Sequence, residues 1–271
     1  MPSENEWRGL RTMRRRLQSR VVIHQAVGIM LARYDSTDSG AALWLLETAS
    51  RQYSVAVHGL ASALITAPSP GVDAPVWFPD RIRRPEPVLT FLGAAGAAPA
   101  QWGDVVRALL DHVLLIARSD LGTLQLTDPR TGELWIAAQR GHSGAFLAFF
   151  DRVSDGGSAC ALAASRAEPV TVLDVATDPA YTDASRAAML ESGSRACQSL
   201  PITAPDGRLL GIVSPHYRLP RQCLGPALLH AVQETARQAG AWLDWYHFTI
   251  VLDALESVHA HARTLPGHDP T

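Results

Sequence analysis

Seven of the chain's 18 prolines fall between residues 66 and 100, a stretch that also holds the small-residue run from Gly93 to Ala98. Proline has no backbone donor and a fixed φ, so such a stretch is excluded from a helix interior and from a central strand. It splits the 271 residues into two parts, each long enough to bury its own core. The expected organisation is a helical domain at 1–67, a Pro/Gly/Ala-rich linker at 68–100, a mixed domain at 101–250, and a helix end with tail at 251–271. Val76-Trp77-Phe78 and Val88-Leu-Thr-Phe-Leu92 are apolar enough to dock on a neighbouring surface, so the linker need not be a free tether.

The first part reads as helix throughout. Leu10, Met13, Leu17 and Val21 recur at three- and four-residue spacing, and Val22, Ala26 and Ile29 continue a neighbouring stripe. One helix of about 25 residues, ending at Arg33, is the simplest reading; that length points to a coiled-coil or dimer contact. Tyr34 to Asp38 then supplies stop and cap chemistry for a second helix carrying Leu43, Leu45 and Leu46, and a short third helix runs from about Val55 to Ile65.

From Gln101 the pattern changes. Val106, Leu109, Leu110, Val113 and Leu114 mark an amphipathic helix. A hairpin follows, Leu121 to Thr127 and Leu134 to Ala138, turned by Pro129 and Gly132. Further strands are expected at Val170–Asp174 and Ala196–Ile202, then a turn at Pro205-Asp206-Gly207 into Leu209–His216. Leu224 to about Arg263 reads as one long helix or two. The fold class is α+β, an antiparallel sheet with helices on one or both faces.

Composition narrows the function. Charged residues are 18% with a net charge of −2, so bulk charge attracts no particular partner. All 24 basic residues are Arg, which bears on the helical part below. Three cysteines without close pairing argue against a disulfide framework or zinc site and for a reducing cytosol. The first thirty residues lack the apolar core of a secretory leader, and no run approaches the roughly 18 to 20 apolar residues that span a bilayer, so a cytoplasmic protein without membrane contact is expected. Nucleophile-elbow, phosphate-loop, dinucleotide and zinc-protease motifs are all missing, and no catalytic residue, metal or cofactor is expected.

The second part resembles a GAF domain. The resemblance rests on Asp120-Leu-Gly-Thr-Leu-Gln-Leu-Thr-Asp128, Gly132-Glu-Leu134, Ala138-Gln-Arg-Gly141 and Phe146-Leu-Ala-Phe-Phe150. It continues through Gly157-Ser-Ala-Cys160, Val172-Leu-Asp174, Gln198-Ser-Leu-Pro201, Asp206 to Gly211 and Ser214-Pro-His216. Pro215 stands where the family pattern has Thr. The resemblance implies a central sheet of five or six strands, flanking helices that often pair subunits, and a small-molecule pocket between sheet and loops rather than catalysis. Trp135, Phe146, Phe149 and Phe150 are either an apolar wall of that pocket or plain core. Cys160, Gln198 and His216 are the remaining pocket candidates, against the alternatives of a buried thiol and satisfied polar residues. Asp174 reads as a turn cap; His259 and His261, two apart on a helix, face different ways and make no chelating pair.

The first part resembles the opening of an ANTAR domain, through Leu17-Gln-Ser-Arg-Val-Val-Ile-His-Gln-Ala-Val-Gly-Ile-Met-Leu-Ala-Arg33. The resemblance implies a three-helix module that binds RNA hairpins as a dimer, with Arg14, Arg15, Arg16, Arg20, Arg33 and Arg51 as RNA-contacting candidates. Consecutive arginines are equally read as the solvated faces of a long helix. The chain departs from the pattern at Val27, at Leu45-Leu46 and at Ser54 to His58, where basic residues are usual. Eight arginines against five acids still leave residues 1–65 at +3. Two functions follow: a regulator whose sensor part controls RNA binding in transcription antitermination, or a dimeric ligand-sensing scaffold that contacts proteins. The first helix and the last, with Leu228, Leu229, Val232, Ala236, Ala239 and Leu243, are equal candidates for the dimer contact.

Overall fold

Six short strands, β1 (Leu121–Thr127), β2 (Leu134–Arg140), β3 (Arg152–Val153), β4 (Val170–Val172), β5 (Ala196–Thr203) and β6 (Leu209–Tyr217), pair in the order β3-β2-β1-β6-β5-β4, every neighbour antiparallel. The computed structural model describes residues 3–71, 74–95, 100–154 and 156–264. Residues 96–99, the last three of the Gly/Ala-rich run with Pro99, and the tail from 265 on lie outside them. Helices in chain order are α1 (Glu4–Arg33), α2 (Ser39–Tyr53), α3 (Val57–Thr66), α4 (Trp102–Ala117), α5 (Gly144–Phe149), α6 (Ala159–Arg166), α7 (Asp183–Glu191), α8 (Pro226–Tyr246) and α9 (Leu252–Ala262), with a π-helical turn at His247–Val251.

The chain forms two compact units. One comprises residues up to Gly9 with Pro87–Asp244, the other Leu10–Glu86 with the residues from Trp245 onward.

In the first unit the period-two alternation of the strands sends side chains to opposite faces. Leu124, Leu126, Leu200, Ile202 and Val213 pack with Leu109, Leu110 and Val113 of α4 and with Val232, Ala236 and Ala239 of α8. Leu134, Ile136, Cys197 and Ile212 pack on the other side with Phe146, Ala163 and Met189 of α5, α6 and α7. A Cβ at Gly240 would overlap the Thr203 carbonyl, so glycine there lets α8 lie directly on β5. The sequence carried no signal for β3, which is two residues long, below the length at which alternation can be recognised.

In the second unit Asp38 accepts the Ala41 N–H at 2.9 Å, starting α2 as the Asp/Ser/Thr run predicts. Leu46, Leu60, Leu64 and Met30 fill its core, and α9 adds Ala254, Leu255 and Val258 to the core of the three expected helices. The Pro-rich segment follows this surface. The Trp77 and Phe78 N–H groups donate to the Glu256 carboxylate at 2.9 and 2.7 Å, Trp77 Nε1 donates to the Pro68 carbonyl at 2.7 Å, and Arg81 pairs with Asp253. Residues 68–86 of the expected linker thus belong to the helical unit, and those from Pro87 to the α/β unit.

Candidate ligand site

Three central strands direct alternate polar side chains to one face: Thr123 and Gln125 from β1, Ser214 and His216 from β6, Cys197 and Ser199 from β5. Thr123 lies opposite Ser214, and Cys197 opposite His216. Over them sit Phe146 within α5 and Phe150 just after it, Ser158 to Cys160 opening α6, Tyr181, and Met189 of α7. Together they enclose a cavity of about 20 Å³, room for one water-sized molecule.

The lining is uncharged, with polar groups from the strands facing the apolar Phe146, Phe150, Ala159 and Met189. Ser199 and Ser214 share a hydrogen bond of 2.9 Å, Tyr181 meets Cys197 at 3.2 Å, Ser158 meets Cys160 at 3.2 Å, and Ser194 holds His216 Nδ1 at 3.0 Å. Burial disfavours every charged form here. It pushes the Cys197 thiol up to about 12, raises Cys160 and Tyr181, and holds His216 well below the usual imidazole range. Neither an Asp, a Glu nor an Arg lines the cavity among the described residues. The site offers hydroxyls, thiols, an amide and a neutral imidazole, with no fixed charge.

His142 stands just behind this lining. It is 6% exposed, lies flat on Phe146 with ring centroids 3.8 Å apart, and meets the edge of His216 at 4.7 Å. Neither of its ring nitrogens has a hydrogen-bond partner among the described residues. Burial first, and then the Arg218 charge, depress its pKa to about 4, against a smaller opposing effect of Asp120. A neutral ring still carries one N–H and one acceptor, so the position is costly unless a third group meets it.

The α5 wall is pinned from two sides. Ser143 caps it by accepting the Phe146 N–H at 3.3 Å, and the Glu4 carboxylate accepts the Gly144 N–H at 2.8 and 2.9 Å. The first turn of α1 therefore bears on the helix that walls the cavity.

Of the pocket residues expected from sequence, Phe146, Phe150, Cys160 and His216 line the cavity. Trp135 and Gln198 do not, and the expectation is corrected for both. Trp135 alternates with the inward Ile136 and stacks on Trp102 at 6.3 Å on the opposite face. Gln198 alternates with Cys197 and Ser199 and is consumed structurally: its Oε1 accepts the Leu224 N–H at 2.6 Å and the Tyr217 hydroxyl at 3.3 Å, and its Nε2 donates to Thr171 at 3.2 Å. Phe149 is half exposed against Phe150. Asp174 caps the Ala176 N–H at 3.0 Å, and His259 bonds the Tyr34 hydroxyl at 2.8 Å. Sequence reasoning missed Thr123, Gln125, Cys197, Ser199, Ser214, Tyr181 and His142. The signal for the strand residues was present: polar side chains at period two within otherwise apolar strands.

On the helical unit, Arg14, Arg16 and Arg20 are exposed on α1, whereas Arg15 is half-buried. Thr12, Arg15, Arg16, Ser19 and Arg20 line a shallow, open groove along this helix. Arg33 and Arg51 are engaged elsewhere. The Arg33 guanidinium sits 4.7 Å over the Trp77 ring and donates to Ser69 at 3.3 Å; Arg51 pairs with Glu47 at 3.9 Å and donates to Thr48 at 3.1 Å. Val27, where the ANTAR pattern has Lys, is buried in the core, which leaves no place for a cation.

With this geometry established, comparison with known proteins gives a family. The model of the GAF domain family matches residues 100–244, more than half of the chain. Solved structures to which the chain is similar include the GAF domain from Acinetobacter phosphoenolpyruvate-protein phosphotransferase, 13% identical, with a TM-score of 0.44, covering 54% of this chain and 83% of that one. The GAF domain/HD domain protein from Geobacter sulfurreducens is 14% identical, with a TM-score of 0.43 and coverage of 53% and 92%. Free methionine-R-sulfoxide reductase from Neisseria meningitidis, in complex with its substrate, is 21% identical, with a TM-score of 0.42 and coverage of 53% and 80%. No curated protein matches the chain. None of the described helices is long and apolar enough to cross a membrane. The chain belongs to the GAF domain family.

Proposed function

We propose that this GAF-family chain is a signal-responsive regulator: its α/β unit senses a small uncharged molecule, and its ANTAR-like helical unit delivers the signal by binding RNA hairpins as a dimer. The observation that carries the sensor half is the cavity, a buried cluster of uncharged hydrogen-bonding groups beneath Phe146 and Phe150; at about 20 Å³ it takes a water-sized occupant, and a larger ligand would require α5 to shift. A wider concavity of about 620 Å³ lies beside α6, lined by residues such as Leu162, Arg166 and Asp178. The reading is one of binding rather than turnover: burial raises the Cys160 and Cys197 thiols, so neither is offered as a thiolate nucleophile.

The RNA half is supported by the ANTAR-like motif of α1 and by the exposed Arg14, Arg16 and Arg20. The test is filter binding of RNA carrying two short hairpins across a salt series, for the wild type and for a variant with all three arginines changed to Ala. Tighter binding than to random RNA, weakened in the variant, supports the reading; equal affinity for both RNAs refutes it. A second reading, a ligand-sensing scaffold that contacts proteins, is favoured by Arg33 being engaged over Trp77 within the unit and by the burial of Val27.

A further inference from the structure

The outward face of α1 carries an apolar ridge, the stripe that makes this helix one of the two candidate dimer contacts in the sequence. Leu10, Met13, Leu17 and Val21 follow one another at spacings of three, four and four, and are 47%, 62%, 56% and 57% exposed. The same helix buries Ala26, Val27 and Met30 in the unit's core. At about 100° per residue, the four ridge residues occupy an arc of roughly 80° over about 16 Å of helix. Arg14 borders that arc on one side, and Arg20 and Arg16 border it on the other. No Asp or Glu occurs between Glu6 and Asp35.

We propose that this ridge is a docking seam for one amphipathic helix of a partner protein, apolar along its contact stripe and acidic along both flanks. The width of the ridge selects a helix. A stripe this narrow at three- and four-residue spacing is the seam of a two-helix contact, whereas a lipid surface calls for a broad apolar face. The flanks select the charge. A second copy of α1 would set Arg14, Arg16 and Arg20 against arginines with no carboxylate between them, an arrangement that costs association energy. An RNA backbone would meet the arginines but leave Leu10, Met13, Leu17 and Val21 uncovered. Acidic flanks on a partner helix satisfy both features at once. The seam shares its arginines with the RNA reading, so a docked helix would exclude RNA from α1, though the seam itself does not depend on RNA being bound.

The experiment uses the full chain and two labelled peptides of 21 residues, each three leucine-lined heptads, one with Glu and one with Lys at the positions flanking the leucines. Fluorescence anisotropy should show binding of the Glu peptide and none of the Lys peptide. Affinity should drop about tenfold or more for Leu17→Gln and separately for Arg20→Glu, a loss of about 1.4 kcal/mol each. Both positions are exposed, and circular dichroism and melting of each variant establish that the fold is kept. Any of four results overturns the proposal: equal binding of both peptides, unchanged affinity in both variants, binding only to phosphatidylglycerol vesicles, or a concentration-dependent dimer of the chain abolished by Leu17→Gln. Loss of RNA binding in the arginine variants with no peptide binding would leave the RNA reading standing while the seam falls.

Discussion

His142 lies face to face on Phe146, the ring planes 9° apart, with both of its nitrogens buried and unpartnered among the described residues. Its pKa of about 4 is far below the roughly 6.5 of an unfolded histidine, so between these values the unfolded chain binds the extra proton. Stability is then level above about pH 6.5 and declines as pH falls toward 4, by up to about 3 kcal/mol from this group. His216 acts in the same direction. Urea melts from pH 7.5 to 4.5 should show this slope, and His142→Phe should flatten it; superimposable profiles for the two proteins would refute the assignment.

Glu4 holds the Gly144 amide, and that contact leaves no space for a side chain. A Cβ at residue 144 would come within 2.6 Å of the Trp7 Cβ and 3.0 Å of the Glu4 carboxylate. Glu4→Ala should cost about 1 kcal/mol, the usual value of a helix cap, and should speed hydrogen exchange at the Gly144 amide. Gly144→Ala should do both more strongly, because it also displaces the first turn of α1. Unchanged exchange at that amide in Glu4→Ala would show that the carboxylate does not hold it.

Gln198 and Ser199 are neighbours on β5 with opposite duties. Gln198→Leu strands the buried Leu224 N–H and should cost about 1 to 3 kcal/mol while leaving any ligand response intact. Ser199→Ala removes a cavity hydroxyl and the partner of Ser214. It should alter the thermal shift produced by small neutral hydrogen-bonding compounds. Denaturant titration and a thermal-shift panel separate the two; a ligand response lost in Gln198→Leu alone would reverse the assignment of faces.

Glu256 gathers the Trp77 and Phe78 amides. Glu256→Ala should destabilise the helical unit by about 2 kcal/mol or more, the scale of hydrogen bonds to a charged group. The released segment should become the first site of limited proteolysis. If cleavage between residues 74 and 86 is no faster than in the wild type, the carboxylate is not what fastens it.

Much of this architecture was legible in the sequence because it is encoded locally. The α2 start rests on Asp38, and the expected strands at Leu121, Val170, Ala196 and Leu209 begin where the alternation does. The GAF motif was readable for the same reason, being a series of turn and strand residues in order. The cavity was only half legible. Phe146, Phe150, Cys160 and His216 were recognisable as types, but one step along a strand reverses the face, and nothing local says which face is covered by α5 to α7 and which by α4 and α8.

By itself, then, the sequence determined what depends on neighbours along the chain: the proline-rich break, the helix caps, the hairpins, and the polar residues spaced by two on β1, β5 and β6. Tertiary structure decided what depends on distant partners. It turned Trp135 and Gln198 away from the cavity, set His142 on Phe146 without a hydrogen bond, brought α9 into the core of the helical unit, and left Leu10, Met13, Leu17 and Val21 outside that core. The reason is physical: periodicity sorts residues onto faces, but only long-range packing settles which face is buried and against what.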